Sequence, residues 1–229
     1  RGAPTGIFHT LAHIAAVVSI GAGSVSFTHT IKAAEPLFAA IFAAFMLGKR
    51  LSIWQYAALV PIVAGVGMAS IHEAQFSWQA FAGAMSSNVA SALRSIYAKG
   101  LMVVDRIPPV DIFVLSIVLG FAATAPLALV LEGKQLFKVL KPGSGGLSDG
   151  VGMDVLVSGI TYFLYNELAF RALQHLHPVS HAVVNTLKRV VVILSSLAIF
   201  NTPVSSEGVL GTAIALAGVL VYSLAAHHA

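Results

Sequence analysis

Eight runs of about 20 mainly apolar residues fill most of this chain, with little backbone between them. A helix of that length matches the roughly 30 Å hydrocarbon core of a bilayer. Inside a bilayer each backbone N–H and C=O must be satisfied within the protein, so such runs can only be helices. The expected bounds are Gly6–Ser24, Ser26–Leu47, Ile53–Ile71, Trp78–Leu101, Asp111–Leu131, Val151–Leu173, Val179–Phe200 and Glu207–Ala225. GKRLS, HEAQFS, DRIPP and NTPVS mark short connections. Residues 132–149 are expected as the long loop, with Lys134, Lys138 and Lys141 on a short surface helix or at lipid headgroups. Lys49 and Arg50 are placed at the headgroup boundary, and Glu167 with Arg171, four residues apart, at a helix end as a pair. Lys and Arg divide almost evenly between alternate loops, so charge bias sets no orientation.

Only 10% of the residues are charged, against about 25% in an ordinary soluble domain. The net charge of +4 is small and spread over loops, which leaves no footprint for nucleic acid. With no cysteine, disulfides and thiolate metal sites are excluded. His9 and His13 have the i,i+4 spacing of metal ligands, but their helix carries no carboxylate to complete a site. No metal or cofactor is expected. No glycine-rich phosphate loop, Ser-His-Asp set or carboxylate dyad stands out, so no enzyme is expected either.

Against this apolar background, Lys188 and Arg189 stand side by side in HAVVNTLKRVVVILSSLAIF. Each cation at bilayer depth costs roughly 2.5–3.5 kcal/mol on insertion scales. Lys32, in SFTHTIKAAEP, is a third. Three such charges without matching buried carboxylates predict a pocket for an anion, and a phosphate group has enough oxygens to accept from all of them. Lys188 and Arg189 project about 100° apart on a helix, so they reach one pocket from different sides. The competing reading for Lys32 is an ion pair with Glu35, three residues on. Pro36 follows, freeing a backbone carbonyl and letting the helix bend. Thr28 and His29 lie one turn before Lys32. Tyr165 and His13 can hydrogen-bond an anion or a sugar oxygen, and His181, seven residues before Lys188, is expected to line the same cavity. Arg94 sits either within its apolar helix or near its end.

Two helix pairs resemble each other. THTIK, GKRLS and IVAGVGMAS recur as VNTLK, NTPVS and ALAGVLVYS, aligning Lys32 with Lys188, Thr30 with Thr186, Gly65 with Gly218 and Ser70 with Ser223. Repeats of this kind place a substrate at their interface near mid-membrane. The expectation is one transmembrane domain over 1–229, with repeats at 1–101 and 111–229. The second half carries more helix ahead of its lysine than the first, so about two further helices are expected before residue 1.

VSFTHTIKAAEP, SNVASALRSIYAK, YNELAF, PVSHAVVNTLKRVVVI and GTAIALAGVLVYS together resemble the plastid phosphate translocators, relatives of the triose-phosphate/phosphate translocator within the drug/metabolite transporter superfamily. The resemblance implies an all-α inverted-repeat bundle, with eight transmembrane helices here out of about ten. It implies an antiporter of the plastid inner envelope membrane, exchanging inorganic phosphate for a phosphorylated sugar or three-carbon acid, triose phosphate favoured. The family's phosphate-binding trio falls on Lys32, Lys188 and Arg189, its pocket tyrosine on Tyr165 and its substrate-facing histidine on His13. Two positions depart from the triose-phosphate pattern: Ala16 replaces a hydroxyl-bearing residue, and Ser91 replaces an aromatic near the substrate carbons. Two alternatives stand beside this reading. One is a nucleotide-sugar antiporter of the Golgi or endoplasmic reticulum. The other is a non-transporting membrane scaffold built on the same fold.

Overall fold

The computed structural model describes residues 2–48, 52–73, 76–140, 151–176, 178–200 and 205–227. These residues form nine α-helices and no strand: α1 Ala3–Ala22, α2 Val25–Lys32, α3 Glu35–Leu47, α4 Ile53–Ile71, α5 Trp78–Val103, α6 Pro109–Leu140, α7 Val151–His175, α8 Pro178–Phe200 and α9 Ser206–His227. Four stretches among the described residues are long and apolar enough to cross a membrane: Ala3–Ala22, Val25–Leu47, Ile53–Ile71 and Pro109–Val130. Large apolar side chains such as Phe45, Ile71 and Val130, each at least 80% exposed, cover the outside.

Serine side chains cap the starts of α2, α4, α5 and α9. The Ser24 side chain accepts from Phe27 N at 3.1 Å, and Ser205 from Gly208 N at 3.0 Å. Ser52 and Gln55 form a reciprocal capping box. At the other end of α3, Gly48 takes a left-handed φ of 62°, a conformation that costs glycine nothing.

Two sequence expectations are corrected. Residues 132–140 are helical, because α6 continues to Leu140 in place of ending at a long loop. The stretch EGKQLFKVL consists mostly of good helix formers, and Gly133 alone costs only about 1 kcal/mol, so nothing stops the helix before KPG. Lys134 is exposed on this extension; Lys49, Arg50, Lys141 and the Lys138 side chain lie outside the described residues. The second apolar run is also two helices rather than one. Pro36 has no N–H for the Lys32 carbonyl, and the chain turns tightly instead: Ala33 N bonds Thr30 O and Ala34 N bonds Ile31 O, both at 3.0 Å. Asn88 Nδ2 of α5 also donates to Ile31 O at 2.9 Å. The break is thus buried and satisfied by protein, the condition for irregular backbone at membrane depth. The Glu167–Arg171 pair forms as expected, with Nη2 and Oε1 2.6 Å apart.

Two apolar clusters hold the bundle. Phe27, Ile31, Ala39, Ile62, Val66 and Val219 join α2, α3, α4 and α9 with the start of α5. Ala98, Leu101, Phe113, Phe170 and Leu173 join the end of α5 to α6 and α7. Helix α5 belongs to both, through Ala84 and Ala98. Its polar residues Ser87, Asn88, Ser91, Arg94 and Ser95, all buried, lie in the stretch between Ala84 and Ala98.

α4 and α9 pack backbone to backbone through small residues. A Cβ on Gly65 would strike Ala215 N and Gly211 O, and one on Gly218 would lie 2.9 Å from Ile62 N. Because the obstruction is backbone, repacking cannot absorb it cheaply. Gly65→Val is therefore expected to destabilise by at least the roughly 1–3 kcal/mol of ordinary overpacking. Gly67→Ala, where nothing lies within 4 Å, should leave stability nearly unchanged. Thermal unfolding of the two variants in detergent checks this; equal melting temperatures would contradict the close packing.

Candidate functional site

The break after α2 leaves Lys32 at a helix end and Glu35 at the next helix start, both deep in the protein. Around them is a cavity of ≈ 170 Å³, lined from α1 by His13 and Ala16, from α2 by Thr28, His29 and Lys32, from α3 by Glu35. Ser91 and Arg94 of α5, Tyr165 and Asn166 of α7, and Lys188 and Arg189 of α8 complete it. Among the described lining residues, four side chains are cationic and one is a carboxylate.

Lys32 Nζ donates to Ser87 Oγ, whose own proton goes to Ala12 O at 2.7 Å. Lys188 Nζ donates to the Tyr165 hydroxyl and lies 3.7 Å from that ring's centroid, a cation–π contact. Arg189 Nη2 donates to Glu35 Oε2, with both side chains 1% exposed. Glu35 is therefore a buried carboxylate facing the cations, which corrects the expectation that none is there. It also corrects the suggested Lys32–Glu35 ion pair. The break at Ala33 and Ala34 takes those two residues off a common helix, so i,i+3 proximity does not follow, and Glu35 turns to α8.

Arg189 retains two buried donors, Nε and Nη1, with no partner among the described residues. A buried donor left unmade costs about 1–3 kcal/mol, more when charged. An anion accepting from them would remove that cost. The arrangement can thus hold a compact, multiply charged oxyanion between α2 and α8, with polar groups left over for the rest of a larger molecule.

The remaining expected residues divide. Thr28 lines the cavity but is also a tie between helices. Ser19 donates to Ala80 O at 2.7 Å, so Thr28 Oγ1, 2.8 Å away, donates to Ser19 and offers a ligand only lone pairs. Ser91 lines the cavity. His13 lines it too, and its Nε2 meets the Tyr162 hydroxyl at 2.8 Å. His181 is buried but is not among the lining residues. Sequence reasoning left Arg94 unplaced and gave no site role to His29 or Asn166. Arg94 had a readable signal, a lone cation among small residues; the other two had none.

Comparison with known proteins gives three results. The model of the Triose-phosphate Transporter family matches residues 3–223. Phosphoenolpyruvate/phosphate translocator 2, chloroplastic, of Arabidopsis thaliana is 40% identical, and the triose phosphate/phosphate translocator, chloroplastic, of Flaveria pringlei is 41% identical; each alignment covers 96% of this chain. The chain spans little more than half of these relatives, 58% and 54% of their lengths. A solved crystal structure, 15% identical, superposes with a TM-score of 0.56 over 99% of this chain and 76% of its own, a likeness of fold alone.

Proposed function

This chain belongs to the Triose-phosphate Transporter family, and we propose that it works as an antiporter exchanging a phosphorylated C3–C6 metabolite, triose phosphate favoured, for inorganic phosphate. The observation that carries this reading is the convergence of Lys32 on α2 with Lys188 and Arg189 on α8 at one cavity, where Arg189 keeps two unsatisfied donors. The names of these two relatives, both phosphate translocators of chloroplasts, support phosphate as the common substrate and the plastid as the location; the inner envelope is the membrane we propose.

The bundle is read as an inverted repeat, with α2 and α8 as corresponding helices and eight membrane spans in this chain. Reciprocal packing supports it. With Gly65 matched to Gly218, Ile62 matches Ala215, and the contact of Gly65 with Ala215 is mirrored by that of Gly218 with Ile62. A pseudo-two-fold axis between α4 and α9 would produce such a pair.

Exchange instead of leak follows from charge. Four cations against Glu35 leave the empty cavity with an uncompensated positive excess, and closing the two halves on it brings those charges together out of water. A phosphate dianion offsets the excess. A ligand moves a conformational equilibrium only through its different affinity for the two states, and here the closed state gains most. The loaded protein switches access; the empty one does not.

Reconstitution into phosphate-loaded vesicles tests this. Labelled phosphate, triose phosphate, phosphoenolpyruvate, hexose phosphate and a nucleotide sugar are offered outside in turn. Uptake of phosphate and a phosphorylated metabolite, only into preloaded vesicles, is the expected result. Uptake of the nucleotide sugar without phosphate exchange would overturn the reading.

A further inference from the structure

Along one side of the cavity, four polar side chains from three helices are joined in a line. Arg94 Nη1 of α5 lies 3.2 Å from His9 Nδ1 of α1. His9 Nε2 lies 3.3 Å from the Tyr162 hydroxyl of α7, and the same hydroxyl lies 2.8 Å from His13 Nε2. Of these four, His13 and Arg94 line the cavity, while His9 and Tyr162 border a separate pocket beside it.

The direction of this line is set from one end. A guanidinium has only donors, so His9 Nδ1 must accept from Arg94. A neutral imidazole carries one proton, which on His9 is then on Nε2 and is donated to the Tyr162 oxygen. The single Tyr162 hydroxyl proton is left for His13 Nε2, which accepts it. The His13 proton must then sit on Nδ1, an atom without a protein partner among the described residues, on a ring that lines the cavity.

We infer that Arg94, His9 and Tyr162 act as a hydrogen-bonded relay that locks His13 into its Nδ1–H form, making it a donor to an oxygen at the carbon end of the substrate. Tyr162 and His9 are positioning residues: they reach the ligand through His13. The ligand chemistry selected is an acceptor, a carbonyl, carboxylate or ether oxygen, in a molecule whose phosphate is held by the cations. This rests on the proposed exchange function for the identity of the ligand, though the His13 tautomer is a property of the empty protein.

The experiment has two arms. In protein labelled with ¹⁵N-histidine, without ligand, the wild type is expected to show His13 as the Nδ1–H tautomer, and Tyr162→Phe is expected to populate Nε2–H. In vesicles, the ratio of the KM for triose phosphate to the KM for inorganic phosphate should rise about tenfold in Tyr162→Phe, equivalent to about 1.4 kcal/mol lost at the carbon end. A merely structural tyrosine would not move that ratio or the tautomer. His9→Gln keeps the direction of the relay, since an amide can accept from Arg94 and donate to Tyr162, and should keep the wild-type tautomer. His9→Leu breaks the relay and should not. Wild-type His13 in the Nε2–H form overturns the inference, whether or not any variant folds. So does a Tyr162→Phe protein with unchanged tautomer and KM ratio. Failure of wild-type exchange with an Nδ1–H His13 would instead remove the proposed transport function and leave the relay standing.

Discussion

Arg189→Ala is expected to abolish phosphate exchange and to lower the stability of the fold by roughly 3–5 kcal/mol, the usual consequence of removing one partner of a buried ion pair. The loss of exchange and the loss of stability have different causes. Arg189 lines the cavity and retains two buried donors without a partner among the described residues, so its removal takes away part of the proposed oxyanion site. It is also the ion-pair partner of Glu35, whose side chain is 1% exposed, so its removal leaves a buried carboxylate without its salt bridge. The two effects separate in a double variant. Arg189→Leu combined with Glu35→Leu deletes both charges, and replacing a whole buried pair with apolar side chains is often neutral or stabilising. The double variant should therefore melt near the wild type yet exchange nothing. Detergent-solubilised melting curves and vesicle uptake, measured on the same preparations, check both halves. A double variant as unstable as the single one would mean that the pair does not account for the destabilisation.

Lys32→Ala and Lys188→Ala are expected to behave in the opposite way toward stability. Each should reduce the kcat/KM of phosphate exchange by about 100-fold, within the 2–5 kcal/mol cost of losing one partner of a desolvated, hydrogen-bonded charge pair. Neither should unfold the protein. Lys32 donates to Ser87, which keeps its bond to Ala12 O, and Lys188 rests on Tyr165, so no ion pair among the described residues is broken in the empty protein. Removing a cation from a cavity that already holds an excess of them also relieves repulsion and a desolvation cost. Melting temperatures at or slightly above the wild type, with exchange reduced about 100-fold, are the expected pattern. Wild-type-like exchange by either variant would sink the phosphate site.

The sequence by itself determined that the chain is built of long apolar helices and which cations stand out within them. Uninterrupted apolar length is a local property, and a charge in an apolar run is conspicuous because its burial is so costly. Pro36 likewise announced a bend, since its missing N–H is a fact of covalent structure. Where α6 stops was misread because Gly133, Lys134 and Lys138 look like loop, although the helix forms around them. Only the tertiary structure decided which charges meet. Glu35 is three residues from Lys32 in the chain but pairs with Arg189, 154 positions away, because the break turns it from α2 toward α8. The same holds for Arg94, His9, Tyr162 and His13: no spacing links α1, α5 and α7, and their hydrogen bonds depend on how three helices pack. Local hydropathy and covalent geometry act within one helical segment, whereas the partners of a buried polar atom are chosen by whichever segments the packing brings within about 3 Å.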